Sequence, residues 1–209
     1  MKGTCTFTFD DGPDPEWTPR VLGELDRCEV RATFFMIGER VDRSPDLACA
    51  VIAAGHDVEL HCDRHLRHTE HGEDELRQDT KAALSTFANA GLPRPRRWRA
   101  PWGICTEATR RVAAEQALEL VHWTIDTHDW RGDRSPEMLE AAEELLDDHA
   151  IVLMHDALGP GALRSGVEET IALIAPLCAA ARARGLELVS LSQAGVRAPS
   201  AARLMGARR

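Results

Sequence analysis

Thr4-Cys5-Thr6-Phe7-Thr8-Phe9-Asp10-Asp11-Gly12-Pro13 is the stretch of this 209-residue chain with the strongest structural signal. Its side chains alternate between polar and apolar, which predicts a half-buried β-strand, and Gly12-Pro13 predicts the end of that strand. Asp10 and Asp11 therefore stand at a strand's carboxyl end. Two adjacent carboxylates repel each other unless a cation separates their roles, so we interpret them as one metal ligand and one acid or base. A solvated turn is the alternative, because turns also use these residues.

Strands and helices alternate along the rest of the chain. Strands are predicted at 32–37, 57–60, 97–100, 118–125, 150–154 and 186–191. Helices are predicted to open at Thr18-Pro19, Pro45 and Pro136 and to cover about 73–90, 106–115 and 167–184. Such alternation implies parallel strands with helical crossovers, in an open sheet or a barrel. Polar residues follow several strands and a glycine-rich phosphate loop follows none, which favours an α/β fold built as a distorted (β/α)7 barrel.

The composition is typical of a globular domain, with 44% hydrophobic and 28% charged residues. A net charge of -9 disfavours nucleic acid or an anionic membrane surface as the partner, since both need a basic face. A neutral or cationic small molecule or carbohydrate fits this charge better. A run of 18 apolar residues is absent from the sequence, so we expect no membrane span. The oligomeric state stays open.

One catalytic domain is expected over residues 1–195, followed by a basic disordered tail at 196–209. The six cysteines are scattered, and none is separated from another by only two residues, which argues against a zinc ribbon or a redox pair. The first strand begins almost directly after Met1, without room for a secretory signal, so we expect a cytoplasmic protein with reduced thiols. A secreted protein trimmed of its signal would look the same.

Chemically active side chains follow the predicted strands. In a barrel all carboxyl ends open onto one face, where such folds place their chemistry. His61 and His65 are four residues apart, and one helical turn would bring both rings to one side, next to Asp11. Three nitrogen and oxygen ligands leave an open position for water, which is typical of a catalytic site. A solvated, histidine-rich helix face is the alternative. The strand-end residues are Asp10, Asp11, His61, His65, Arg99, Asp126, Asp129 and His155.

Five short motifs occur at these strand ends. They are Thr8-Phe9-Asp10-Asp11-Gly12-Pro13, His61-Cys62-Asp63-Arg64-His65, Arg99-Ala100-Pro101-Trp102-Gly103, Asp126-Thr127-His128-Asp129-Trp130 and Leu153-Met154-His155. In this order they resemble the motifs of polysaccharide deacetylases with a NodB homology domain, carbohydrate esterase family 4, over about residues 4–191. Cys62 stands where the family usually has serine or threonine, and this position makes a hydrogen bond that helps to order the histidine loop. Trp102 stands where tyrosine is commoner, and the exchange is expected to alter stacking on the substrate.

The resemblance implies a metal-dependent hydrolase that removes the N-acetyl group from an amino sugar and releases acetate and a free amine. The sugar would belong to an oligosaccharide, a polysaccharide or a sugar-containing intermediate. The resemblance also implies one divalent metal held by Asp11, His61 and His65. Zinc is expected ahead of cobalt, nickel, iron or manganese, which the same ligands also suit.

The resemblance further implies a role for each remaining motif residue. Asp10 would be the base, with Arg99 paired to it, and His155 would be the acid that protonates the departing amine, with Asp129 stabilising its imidazolium. Asp126 is interpreted as a loop helper. The substrate-binding residues would be Pro101, Trp102, Trp130 and Leu153.

Two other functions are weighed against this one. A cytoplasmic amide or formamide hydrolase acting on a small non-carbohydrate metabolite or natural-product intermediate would use the same chemistry. A catalytically inactive sugar-binding or scaffolding protein predicts the loss of a catalytic residue, and none is lost. The segment Ala157 to Gly166, rich in glycine and directly after His155, is hypothesised to be a mobile rim that selects substrate.

Overall fold

The computed structural model describes residues 2–195, so the predicted tail at 196–209 lies outside the described residues. The strands are β1 (Thr4–Asp10), β2 (Thr33–Ile37), β3 (Asp57–Cys62), β4 (Arg97–Trp98), β5 (Glu119–Leu120), β6 (Ile125–Asp126), β7 (Ala150–His155) and β8 (Glu187–Leu188). The helices are α1 (Trp17–Arg27), α2 (Gly38–Arg43), α3 (Pro45–Ala53), α4 (Glu73–Asn89), α5 (Glu107–Glu115), α6 (Ser135–Leu145) and α7 (Glu168–Ala183). None of these helices is long and apolar enough to cross a bilayer.

All strand pairs are parallel, in the order β5-β4-β3-β2-β1-β7-β6, with β8 paired to the start of β1. The single strand predicted at 118–125 is wrong: it is divided into β5 and β6. The N–H of Val121 donates to the Trp98 carbonyl, whereas the N–H of Thr124 donates to the Ile151 carbonyl. The segment thus changes partner midway and joins the two edges of the sheet. Counting β5 and β6 as one position confirms the predicted (β/α)7 barrel.

Strand β1 lies at the centre of the sheet and is buried on both faces, so the prediction of a half-buried strand is wrong. Phe7 and Phe9 belong to the core beneath the helices, where Phe9 stacks on Phe34 with ring centroids 5.1 Å apart. The alternate side chains, Thr8 and Asp10, face the barrel interior, where Thr8 bonds the Val152 carbonyl. The alternation therefore separates two buried environments, one apolar and one polar.

Helix α1 begins at Trp17, one residue before the predicted cap at Thr18. The Thr18 hydroxyl accepts from the N–H of Asp14 and donates to the Asp156 carboxylate at 2.5 Å, across 138 residues. Thr18 therefore anchors the segment after β1 to the segment after β7. This contact holds the two strand ends that carry Asp10 and His155 in register, where they are paired.

Candidate active site

A cavity of about 210 Å³ opens at the carboxyl ends of the strands. Most of the predicted site residues line it, together with Trp123, Asp126, Arg164 and small residues of the loop that follows β7. The predicted residues in the lining are Asp10, Asp11, His61, His65, Trp102, Trp130, Leu153 and His155. Side chains from five separate stretches of sequence therefore meet in one space.

Asp11, His61 and His65 form a cluster whose potential ligand atoms all lie within 4.8 Å of one another. Asp11 Oδ1 is 3.5 Å from His61 Nε2 and 3.3 Å from His65 Nε2. The helical turn predicted for the two histidines is wrong, because His61 belongs to β3 and His65 lies in the following loop with φ 55°. A left-handed residue after the strand, rather than a helix, turns the second ring back towards the first.

The cluster fits a divalent cation. The Nδ1–H of His61 donates to the Arg99 carbonyl at 2.7 Å, which leaves the lone pair of Nε2 directed at Asp11. Among the described residues, Asp11 Oδ1 is buried and has no hydrogen-bond partner. Burial opposes its ionisation, but the adjacent His61 and His65 side chains outweigh this and hold the pKa of Asp11 well below its usual range. A buried, ionised acceptor without a donor is satisfied by a cation.

The histidine loop is ordered despite the cysteine at position 62. The N–H of His65 donates to the Cys62 sulfur at 3.1 Å, so the thiol occupies the acceptor position. Asp79 of α4 accepts from the N–H groups of Asp63 at 2.9 Å and Arg64 at 3.2 Å. The backbone of residues 62–65 is thus held by two buried acceptors, the Cys62 sulfur and the Asp79 carboxylate of α4.

Asp10 lines the same cavity and pairs with a buried arginine. Arg99 Nη1 donates to Asp10 Oδ1 at 2.8 Å and to the Thr8 hydroxyl at 2.7 Å, and Nη2 donates to the His122 carbonyl at 3.2 Å. Oδ2 of Asp10 is then the oxygen that Arg99 does not engage. A carboxylate held in this way is oriented to accept a proton from the cavity.

His155 also lines the cavity and pairs with Asp129. Its Nδ1–H donates to Asp129 Oδ1 at 2.7 Å, which leaves Nε2 available on the cavity side. Burial by itself lowers the pKa of His155, but the Asp129 carboxylate outweighs it and raises the pKa to about 9. Burial likewise opposes ionisation of Asp129, and the His155 charge outweighs it and lowers the pKa of Asp129 to about 2. The pair therefore holds a protonated imidazole near pH 7.

Three predicted site residues do not reach the cavity. Arg99 and Asp129 are fully covered behind Asp10 and His155, so they can position those side chains from outside the cavity. Pro101, predicted to bind substrate, is buried at the first position of a 3₁₀ turn, Pro101–Gly103, and is not among the residues that line the cavity. The turn instead presents Trp102, whose φ of 54° directs the chain back.

Trp102 is 39% exposed at the mouth of the cavity. Its ring meets the edge of His65 at a centroid distance of 4.3 Å, and the guanidinium carbon of Arg67 lies 4.4 Å from the ring centroid. Trp102 therefore supports His65 as well as lining the mouth. Trp123, which sequence reasoning missed, lies in the segment between β5 and β6 and also lines the cavity, next to Gly103. Trp17 and Trp98 are buried in the core.

The segment Ala157 to Gly166 forms part of the cavity wall and is tied down at several points. Arg40 Nη2 donates to the Leu158 carbonyl at 2.7 Å, and the N–H of Leu163 donates to the Trp130 carbonyl at 2.8 Å. A Cβ at Gly159 would lie 1.8 Å from Asp11 Oδ2, so only glycine allows this approach. Arg164, in the same segment, was missed by sequence reasoning. The sequence signal that could have identified it is that Arg164 is the one charged residue between Ala157 and Gly166.

A polysaccharide deacetylase family model matches residues 1–121. The chain belongs to the polysaccharide deacetylase family. A chitooligosaccharide deacetylase of Bradyrhizobium sp. (strain ANU 289) is 36% identical over 196 residues, covering 90% of this chain and 88% of the relative. A peptidoglycan-N-acetylglucosamine deacetylase of Bacillus cereus is 30% identical over 195 residues, covering 92% of this chain and 69% of the relative. These matches confirm the family resemblance of the five motifs.

The fold of this polysaccharide deacetylase family member also matches a solved structure. A family 4 carbohydrate esterase from Streptomyces lividans, in complex with acetate, superposes with a TM-score of 0.82 at 27% identity. The match covers 95% of this chain and 98% of that chain. The predicted NodB-type barrel is therefore confirmed over nearly its whole length.

Proposed function

We propose that this protein hydrolyses the N-acetyl group of an N-acetylated amino sugar and releases acetate and a free amine. One observation carries the proposal: a proton acceptor, a proton donor and a metal-ligand cluster line a single cavity. Asp10 and His155 are register partners at the ends of β1 and β7, and both line the cavity together with Asp11, His61 and His65. The names of the two relatives, a chitooligosaccharide deacetylase and a peptidoglycan-N-acetylglucosamine deacetylase, support the substrate class.

Asp11, His61 and His65 would hold one divalent ion, and we propose zinc because two imidazoles and one carboxylate with an open position are a common catalytic zinc set. Such an ion, when bound, supplies Lewis-acid polarisation of the amide carbonyl and lowers the pKa of a coordinated water. The neutral tautomer that zinc needs at His61 is already set by the Arg99 carbonyl.

The protein's own residues supply the proton transfers. Asp10 accepts the proton of the attacking water, held in orientation by Arg99 at 2.8 Å. His155, kept protonated by Asp129, donates a proton to the amine nitrogen as the carbon–nitrogen bond breaks. The two groups have different roles because Asp10 pairs with an arginine, which can only donate to it, whereas His155 pairs with an aspartate, which keeps a proton on the imidazole.

The cavity wall offers apolar contact for the substrate. Leu153 lines it near His155, and the indoles of Trp102, Trp123 and Trp130 surround it. Aromatic faces and edges of this kind suit the C–H-rich faces of a sugar ring, and a leucine suits an acetyl methyl.

Release of acetate, or of formate from the formamide substrates, by the zinc-loaded protein tests the proposal. The panel runs from chito-oligosaccharides through free and nucleotide-linked N-acetylglucosamine to simple acetamides and formamides, with Asp10→Asn as the inactive control. Release from N-acetylated sugars that is abolished in the control is the expected result. Release from non-sugar amides alone would contradict it and favour the small-metabolite amidase instead.

We also propose a cytoplasmic location, for which the cysteines are the support. All six are free thiols in the structure, although Cys5, Cys62 and Cys178 are buried. Thiol-rich proteins without disulfides are typical of reducing compartments. Fractionation of the source cells tests this, and recovery of the protein outside the cell would contradict it.

A further inference from the structure

Arg164 is a buried cation that the proton transfers described above do not use. It lies in the loop between β7 and α7, and its side chain is 6% exposed. Removing a guanidinium from water costs free energy that only well-placed partners offset. The positions of those partners therefore indicate what the residue does.

The guanidinium connects the acid pair to the backbone that carries it. Nη1 donates to Asp129 Oδ2 at 2.9 Å and to the Thr170 hydroxyl. Nη2 donates to the carbonyls of His155 at 3.1 Å and Ala157 at 3.3 Å. The planar fork thus fixes the carboxylate relative to the same residues that hold the imidazole.

Asp129 is held at both oxygens as a result. Oδ2 accepts from Arg164, from the Thr170 hydroxyl at 2.7 Å and from the backbone N–H of His155 at 2.9 Å. Oδ1 is thereby left to the imidazole of His155. A carboxylate with only one bound oxygen can rotate about its last bond, whereas this one cannot without breaking three hydrogen bonds.

We propose that Arg164 is a positioning residue for the deacetylation: by locking Asp129 it directs the His155 imidazole at the departing amine. The inference rests on the proposed function and deepens it. Arg164 is part of the cavity lining, but its hydrogen bonds go to Asp129, to Thr170 and to the backbone carbonyls of His155 and Ala157. It is the counterpart, on the acid side, of Arg99 on the base side.

A simpler role, anchoring the loop, has a matched control in the same structure. Arg40 holds that loop through the Leu158 carbonyl at 2.7 Å, and its hydrogen bond goes to the backbone alone. Arg40→Ala therefore loosens the loop without removing a donor from Asp129. Loop anchoring predicts the same kinetic change for both arginines, whereas positioning predicts different ones.

The experiment compares Arg164→Ala, Arg164→Lys and Arg40→Ala as zinc-loaded full chains, with acetate release from chito-oligosaccharides as the readout. Arg164→Ala is expected to lower kcat by about 10- to 100-fold with KM changed by less than about threefold. Added methylguanidinium should restore part of the lost kcat, and lysine should retain part of it. Arg40→Ala is expected to act on KM, without rescue.

Equal kcat and KM changes in Arg164→Ala and Arg40→Ala, or an Arg164→Ala defect that methylguanidinium does not rescue, would overturn the inference. If Arg164→Ala does not fold, Thr170→Val replaces it, because it removes one donor from the same oxygen. Thr170→Val should lower kcat, but by a smaller factor than Arg164→Lys does. If kcat is unchanged in both Thr170→Val and Arg164→Lys, the inference is overturned. An inactive wild-type protein would contradict the proposed function instead, so the two failures are distinguishable.

Discussion

Two parts of the active site, the base side around Asp10 and the acid side around His155, each contain a buried arginine–aspartate pair, but the pairs have opposite functions. On the base side, Arg99 binds one oxygen of Asp10, and the carboxylate itself lines the cavity. On the acid side, the carboxylate of Asp129 is fully covered, and a histidine stands between it and the cavity. An arginine beside an aspartate therefore favours an acceptor in one place and supports a donor in the other. What differs is which group reaches the substrate.

The two sides also differ in where their support originates. Arg99 directly follows β4 and lies inside the barrel over the Phe35 ring, 4.2 Å from its centroid. Arg164 comes from a loop after β7, with partners after β6, on β7, in that loop and on α7. The base side is thus built from residues on strands or within two residues of one, whereas the acid side depends on a loop that packs correctly. We expect the acid side to be the more sensitive to changes in loop packing.

The largest effect is expected for Asp10→Asn, which keeps the shape of the base but removes its ability to accept a proton. We expect kcat to fall by about 10³-fold, within the usual contribution of a general base. Zinc content should not change, because Asp10 is not one of the three candidate ligands. Stopped assays of acetate release with metal analysis check this. A kcat close to that of the wild type would assign the base to another residue.

Asp129→Asn tests the acid side and should act on the alkaline limb of the pH profile. With Asp129 present, His155 stays protonated up to its pKa of about 9, and activity is lost as the pH rises through that value. Without Asp129, burial lowers the pKa of His155, so the alkaline limb should move to lower pH. We expect a loss of about 100-fold in kcat at pH 7.

The pH dependence of kcat in wild type and Asp129→Asn measures this shift. An alkaline limb that stays in place would show that another group is the acid. Because only Asp129→Asn should move the alkaline limb, a limb that Asp10→Asn leaves in place shows that base and acid are separate residues.

Gly159→Ala should weaken the centre of the site without favouring either side. The added methyl would lie 1.8 Å from Asp11 Oδ2, so the carboxylate or the loop has to move. We expect zinc affinity to fall by about 10-fold or more, measured by competition with a chelating dye, without a shift of the alkaline limb of the pH profile. Gly23→Ala on α1 is the control, since no described atom lies within 4 Å of its added methyl. Unchanged zinc affinity would contradict the role of Asp11 as a ligand.

The smallest effect is expected at Cys62. Cys62→Ala removes the acceptor for the N–H of His65, whereas Cys62→Ser keeps one. We expect a loss of a few-fold to about 10-fold in zinc affinity for alanine, with serine close to wild type. Isothermal titration with zinc measures both. Equal affinities in the two variants would mean that the thiol acts by packing alone.

Short-range patterns predicted much of this molecule. The alternation before Asp10, the residues at the strand ends and the five motifs led to the barrel and to the residues around its cavity. The split of 118–125 into β5 and β6 was not predictable, because it depends on hydrogen bonds to Trp98 and Ile151, on opposite edges of the sheet. The turn between His61 and His65 was misread because a spacing of four fits a helix and also fits a left-handed loop residue.

The sequence by itself determined the family, the order along the chain of the strands that carry functional residues, and the identity of the predicted groups that face the cavity. These depend on residue type and local periodicity. Arg99 and Asp129 were predicted as the partners of Asp10 and His155, and the tertiary structure shows that both are covered behind them. Tertiary structure alone decided that Arg164 and Thr170 join the acid side, through contacts 35 and 41 residues away from Asp129. Contacts of that range arise from the closure of the barrel, which brings strand ends and the loops after them together, and no local pattern in the chain records them.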